Sequence, residues 1–139
     1  MNEYRITEIS AGQQERFSVT VTEEMMAKFL DITGDVNPLH TDDAFAKEKG
    51  VPQRVTYGML TASLISTLGG VYLPGKYCLI QGVEVRFAKP VYIGDVLEVT
   101  GEAVKVDTDL RYLEIKVTIR NQRNEKVLRG LLKAGVMDA

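Results

Sequence analysis

The sequence has few of the residues that form metal centres, disulfides or nucleic-acid surfaces. Among 139 residues there is one cysteine, one histidine and no tryptophan. A lone cysteine, Cys78, excludes an internal disulfide, and one Cys with one His is too few for the usual zinc ligand sets. A net charge of −2 provides no basic surface for nucleic acid. We therefore expect no metal site and no nucleic-acid partner, and predict that Cys78 is a small core residue.

Long apolar runs and phosphate-binding loops are also missing. No stretch approaches the length needed to span a bilayer, and the charged residues 1–5 lack the apolar run of a signal peptide. Leu-Gly-Gly-Val at 68–71 lacks the Lys-Ser/Thr pair of a P-loop, and no Gly-x-Ser-x-Gly elbow is present. We expect a cytoplasmic protein with no membrane association, and neither a nucleotide hydrolase nor a serine hydrolase.

Hydrophobic periodicity predicts helices early in the chain and strands late. After a strand that ends at Thr22, the Thr-Glu-Glu sequence predicts a helix that stops at Gly34, and a short helix follows from Asp42 or Asp43 to Gly50. Residues 59–68 carry no charge and predict a buried central helix.

Four late strands are predicted, at residues 79–87, 91–99, 111–120 and 127–136. We interpret residues 1–139 as one α+β domain, in which a strongly twisted antiparallel sheet buries the apolar helix on nearly all sides. Open sheet edges around such a helix predict that a second copy covers them, giving a homodimer.

One turn combines the only histidine with a carboxylate. Asp35 and His40 stand five positions apart in Thr-Gly-Asp-Val-Asn-Pro-Leu-His, at residues 33–40. Carboxylates and imidazoles are common proton-transfer groups near neutral pH. Pro38 stiffens the turn and Asn37 can brace it, which favours a preorganised acid/base pair. The same residues also fit a plain loop, with Asp35 in an Asx turn and His40 as a buried, hydrogen-bonded side chain.

The apolar helix adds candidate binding groups. Tyr57 and Gly58 stand at its start, where the first N–H groups have no internal partners and carry partial positive charge. Gly58 either leaves room there for a ligand carbonyl or only relieves crowding. Ser66 and Gly69 belong to a stripe of small residues, which fits both a tunnel for an apolar chain and close packing of the helix on the sheet.

The 33–40 turn resembles the signature of MaoC-like, (R)-specific 2-enoyl-CoA hydratases. Gly-Asp-x-Asn-Pro-x-His is present without a gap, Asp42 and Ala-Phe-Ala at 44–46 follow, and Gly-Met-Leu at 58–60 comes at the family's usual distance. The likeness runs from about Phe17 to the last strand. It implies the hot-dog fold, a curved antiparallel sheet wrapped around a central helix.

The resemblance also implies an activity, the reversible hydration of trans-2-enoyl thioesters to (R)-3-hydroxyacyl thioesters. Asp35 and His40 would hold the water, and the Gly58 N–H would bind the thioester carbonyl. Asn37 would brace the motif, and Ser66 would support Asp35. Coenzyme A or an acyl carrier protein would enter as part of the substrate, so no separate cofactor is expected.

Tyr57 departs from the family pattern, because many members have a histidine before Gly-Met. We expect this change to alter polar contacts at the mouth of the pocket. We include Tyr57 and Gly69 among the substrate-binding residues. Gly69 hints at room for an acyl chain of more than four carbons. Two other functions fit the same fold: an acyl-CoA thioesterase and a non-catalytic acyl-thioester-binding module.

Overall fold

A five-stranded antiparallel sheet and one central helix form the core of the computed structural model, which covers residues 1–139. The strands are β1 (Gln14–Thr20), β2 (Cys78–Phe87), β3 (Val96–Asp107), β4 (Tyr112–Arg120) and β5 (Lys126–Val136), and their order in the sheet is β1-β3-β4-β5-β2. The helices are α1 (Glu23–Thr33), α2 (Pro38–Thr41), α3 (Asp43–Glu48) and α4 (Gly58–Thr67), and a π turn at Leu68–Tyr72 continues α4. The predicted α+β architecture is confirmed.

Alternate residues of the central strands face α4. Buried positions recur at every second residue of β4, as expected for a strand with one face on the core. From α4, Thr61, Ala62 and Ile65 are buried. The largest buried side chains of the sheet are Leu97, Val99, Leu113, Ile115, Val117, Ile119, Leu128 and Leu132. Each fully buried aliphatic side chain stabilises the fold by about 1.5–3 kcal/mol, so this layer fixes the helix on the sheet.

The side of α4 that faces away from the sheet is open in the single chain. Met59 is 66% exposed, and Ser63 and Ser66 are also exposed. The prediction that the chain itself buries this helix on nearly all sides is therefore wrong. The helix has no charge on any face. Its composition therefore does not show which side packs on the sheet and which side is open.

The early helices begin and end at the predicted signals. The Thr22 hydroxyl accepts a hydrogen bond from the first turn of α1, and Gly34 ends that helix with φ of 68°. Asp42 Oδ1 accepts from the Ala44 N–H at 2.9 Å and caps α3. None of the helices is long and apolar enough to cross a bilayer.

One of the four late strands is displaced from its prediction. The other three start and end within one residue of the predicted limits, but the strand expected at 91–99 starts at Val96 and continues to Asp107. A turn precedes it, in which the Tyr92 N–H donates to Asp95 Oδ2 at 2.9 Å. Apolar residues packed in this turn have the alternation of a strand, which explains why the strand was predicted to start too early.

Gly130 on β5 permits the close approach of the edge strand β2. A Cβ at this position would lie 2.5 Å from the backbone carbonyl oxygen of Glu84. We expect Gly130→Ala to destabilise the fold by about 1–3 kcal/mol, because backbone must move to relieve the overlap. Gly82→Ala is the matched control, since its Cβ would meet only the Lys133 side chain at 3.7 Å. Urea unfolding measures both, and equal free energies of unfolding for the two variants would contradict the prediction.

Candidate active site

The turn that carries Asp35 is held by short-range hydrogen bonds. The Asp35 N–H donates to Thr33 Oγ1 at 3.2 Å, and the Asn37 N–H donates to Asp35 Oδ1 at 3.1 Å. Asn37 Oδ1 in turn accepts from the Leu39 N–H at 2.9 Å and caps α2. Asn37 therefore occupies the bracing position predicted for it. One Asp35 carboxylate oxygen is used in the turn, which leaves the other available for a ligand.

His40 lies in the single turn of α2, and the protein fixes its tautomer. Its Nδ1 is 2.7 Å from the backbone carbonyl oxygen of Val55. Because a carbonyl oxygen can only accept, Nδ1 carries the proton and the neutral ring has its free electron pair on Nε2. The Val55 N–H also donates to the Leu39 carbonyl at 3.0 Å, so the two chain segments hold each other in register. A neutral Nε2 can accept a proton from water.

Tyr57 is buried beside this pair. It is 2% exposed, its ring centroid lies 4.3 Å from that of His40, and its hydroxyl donates to the backbone carbonyl of Asp35 at 2.7 Å. Burial, and then the nearby Asp35 charge, raise the pKa of the Tyr57 hydroxyl, so it remains a donor. Tyr57 therefore lies in the interior of this chain, with its hydroxyl bonded to the backbone of the Asp35 turn.

Gly58 presents free backbone donors to the same region. The N–H groups of Leu60 and Thr61 donate to the Tyr57 carbonyl, and no side chain caps the helix, so the first two N–H groups of α4 have no partner. A Cβ on Gly58 would lie 3.1 Å from the Phe87 ring. The missing side chain therefore relieves crowding against Phe87, and the first N–H groups of α4 have no partner in this chain.

A cavity of about 230 Å³ joins these groups. Its lining residues are Phe29, Thr33, Asp35, His40, Tyr57, Gly58, Met59 and Phe87. The cavity therefore combines an acid/base pair, free helix N-terminal donors and apolar walls, a set suited to proton transfer next to a polarised carbonyl. No three His, Cys, Asp or Glu side chains lie close enough together to hold a metal ion.

Ser66 and Gly69 lie outside this cavity. Ser66 is on the exposed side of α4, and it is not among the residues that surround Asp35. Gly69 is buried, and a Cβ there would lie 3.0 Å from Leu132 and 3.1 Å from Cys78 Sγ. Gly69 therefore serves close packing of the helix on the sheet, whereas Ser66 faces the open side of α4. Cys78 itself is half-buried against the core, as its predicted packing role requires.

Three contributors to the site carry no signal in the sequence. Val55 acts through its backbone carbonyl, so its residue type is uninformative. Phe87 reaches the cavity from β2, about thirty residues along the chain from Gly58, and Phe29 packs on Tyr57 with ring centroids 5.0 Å apart. Their apolar character predicts only burial. A contact map, rather than a motif, is needed to find them.

Arg54 fastens the helices around the turn. Its Nη2 lies 2.5 Å from Glu23 Oε1 on α1, and its Nε lies 3.3 Å from Asp43 Oδ1 on α3. The Arg54 backbone N–H also donates to Asp43 Oδ1 at 2.8 Å. This bridge links the start of α1 to the start of α3, the helices on either side of the 33–40 turn.

A curved sheet wrapped round α4, with an Asp/His turn facing the start of that helix, defines a hot-dog hydratase-like domain. Residues 6–127 match the profile of the MaoC like domain family, and the chain belongs to this family. It is 40% identical over 94 residues to the (R)-specific enoyl-CoA hydratase of Aeromonas caviae, covering 68% of this chain and 69% of that protein.

Two further likenesses agree. The 3-hydroxybutyryl-CoA dehydratase of Methylorubrum extorquens is 31% identical over 111 residues, which cover 80% of this chain and 71% of that protein. The solved structure of an R-hydratase from Pseudomonas aeruginosa superposes with a TM-score of 0.90 at 27% identity, covering 97% of this chain and 86% of that one. The family and the hot-dog fold implied by the 33–40 signature are confirmed.

The tautomer of His40 can be measured directly, because this is the only histidine. We expect two-bond ¹H–¹⁵N correlation spectra of the neutral ring to show a protonated Nδ1 and a bare Nε2, as the contact to the Val55 carbonyl requires. The spectrum of His40→Gln, which lacks these signals, identifies them. A spectrum dominated by the Nε2–H form would contradict the assignment.

Proposed function

We propose that this protein is an (R)-specific 2-enoyl-CoA hydratase, which adds water reversibly to trans-2-enoyl thioesters and yields (R)-3-hydroxyacyl thioesters. The observation that carries the proposal is that one cavity is lined by Asp35, by His40, whose Nε2 is bare, and by Gly58, whose N–H is free. The named activities of its relatives support it, since they are a hydratase and a dehydratase of acyl-CoA thioesters.

The proposed chemistry follows from the residue types. A water molecule bound between Asp35 and His40 loses a proton as its oxygen bonds to C3 of the substrate. The electron pair of the C2=C3 bond moves toward the thioester carbonyl and forms an enolate. Asp35 and His40 together then return a proton to C2, so that H and OH add to one face of the double bond. The bare Nε2 makes His40 the first proton acceptor, and Asp35 orients the water.

The start of α4 would stabilise the enolate. Its oxygen would accept the Gly58 N–H, where the partial positive charge of the helix N-terminus favours an anion. Removing one such donor from an oxyanion site costs about 2.7–4 kcal/mol in other enzymes. The reaction adds water without oxidation or reduction, so the proposal requires neither a metal nor a redox cofactor, and coenzyme A or an acyl carrier protein enters only as part of the substrate.

We further propose that the active form is a homodimer. The edge strand β2 leaves its outer backbone unpaired in this chain, and its Val83 and Phe87 are 46% and 54% exposed. Met59 on α4, at the rim of the cavity, is exposed as well. A second copy on this apolar face would cover α4 and close the cavity. A cytoplasmic location stays a prediction, supported by the single unpaired cysteine.

The decisive test is the loss of the conjugated-thioester absorbance with crotonyl-CoA and longer enoyl-CoAs. We expect Asp35→Asn and His40→Ala each to lower kcat/KM by about 10²–10⁴-fold, the usual contribution of a general acid/base. Asp31→Asn is the matched control, because Asp31 is an exposed carboxylate on α1, the helix that precedes the turn, and it lies outside the cavity.

The outcomes separate the alternatives. Wild type that is inactive at every chain length, or full activity in both variants, overturns the hydratase proposal. Release of free thiol from acyl-CoA without hydration supports a hot-dog thioesterase instead. Binding of acyl-CoA without turnover of any kind supports a non-catalytic binding module.

The dimer is tested by light scattering after gel filtration. Wild type should have twice the 15.5 kDa mass of the chain, and Val83→Asp should give the single-chain mass and lower activity, because a buried unpaired carboxylate opposes association. Val104→Asp, at a residue of β3 that is 45% exposed, is the control and should remain dimeric. A single-chain mass for wild type would contradict the proposal.

A further inference from the structure

Tyr57 is a buried polar residue that the proposed chemistry does not use. Its phenol hydroxyl has one partner, the backbone carbonyl of Asp35, 22 positions earlier in the chain. The other hydrogen bonds of Asp35 reach only Thr33 and Asn37, each two positions away. Asp35 is exposed in the single chain. The Tyr57 hydroxyl therefore makes the long-range hydrogen bond of Asp35 itself, whereas Val55 holds the other end of the turn at Leu39 and His40.

The ring of Tyr57 has a separate set of contacts. It packs between Phe29, at a centroid distance of 5.0 Å, and His40, at 4.3 Å with 34° between the ring planes. Tyr57 and His40 together line both the 230 Å³ cavity and a second cavity of about 200 Å³ beside α1. The ring thus packs against the imidazole, whose Nδ1 lies against the Val55 carbonyl.

The backbone of Tyr57 belongs to the other half of the site. Tyr57 is the N-cap residue of α4, and its carbonyl accepts from the Leu60 and Thr61 N–H groups. The next residue, Gly58, carries the free N–H proposed to bind the thioester carbonyl. One residue therefore connects the water-binding turn with the helix start.

We propose that Tyr57 is the positioning residue of this site: its hydroxyl fixes the Asp35 backbone relative to the Gly58 N–H, and its ring fixes the orientation of the His40 imidazole. The kinetic part rests on the proposed hydratase function. Small displacements of reacting groups lower the rate strongly, so a single hydrogen bond between the two halves of a site can affect kcat with little effect on KM.

Two substitutions separate the two contacts. Tyr57→Phe keeps the ring and removes the hydroxyl, and we expect kcat for crotonyl-CoA to fall about tenfold while KM stays within about twofold. Tyr57→Leu removes the aromatic ring too, and we expect a larger fall in kcat together with a mixture of His40 tautomers in the ¹H–¹⁵N spectrum. The Phe variant should keep the wild-type tautomer.

The matched control is Tyr4→Phe, which removes the phenol hydroxyl of a half-buried tyrosine outside the cavity. The Tyr4 hydroxyl donates to Glu15 Oε1 at 2.9 Å. This variant should leave kcat, KM and the His40 spectrum unchanged. If Tyr57→Phe keeps the wild-type kcat, or lowers thermal stability and activity no differently from the control, Tyr57 has only a structural role and the proposal is overturned.

The positioning role can also be tested by a measurement that does not depend on catalytic activity. Backbone ¹⁵N relaxation should show lower order parameters at Asp35 and Val36 in Tyr57→Phe than in wild type or Tyr4→Phe. Failure of the hydratase proposal would appear as a wild type that hydrates no enoyl thioester. Failure of the positioning proposal would appear as unchanged order parameters in Tyr57→Phe.

Discussion

The packing of α4 on the sheet is the constraint on which the site depends. Ile65 and its neighbours bury the helix against β4 and β5, and the glycine at 130 lets the edge strand approach. Aliphatic burial of this kind has no direction of its own, but close-packed side chains leave a helix only one position. The N-terminus of α4 is thereby fixed, with free N–H groups at the point where the turn of Asp35 and His40 arrives.

Two segments far apart in sequence meet at that point, and different interactions hold them. Local caps and an Asx turn shape residues 33–40, whereas the contacts of Val55 and Tyr57 place the turn against α4. The division has a chemical consequence. The turn holds groups that exchange protons, and the helix start offers partial positive charge where negative charge would develop. Proton transfer and the stabilisation of negative charge thus depend on two elements that different contacts hold in place.

Local signals predicted local structure well. Thr22, Gly34 and Asp42 mark helix ends because capping involves only neighbours in sequence, and three of the four late strands lie within one residue of their predicted limits. The first strand ends at Thr20, two residues before the predicted end at Thr22. Prediction was wrong where the outcome depends on distant contacts. Residues before Val96 alternate like a strand but form a packed turn, and α4 is buried on one side only, since nothing else in the chain reaches the other side.

A gapless motif and helix caps involve only neighbouring residues, so the sequence alone predicts the fold class and the family and offers Asp35 and His40 as the candidate pair. Only the tertiary structure decided which nitrogen of His40 is bare, since its partner is a backbone carbonyl at Val55 that any residue type could supply. It also showed that Tyr57 is buried and that Ser66 and Gly69 lie outside the cavity. The type of a side chain predicts which reactions it can take part in. Its hydrogen-bond partners and its distances to other groups are set only when the helix packs on the sheet.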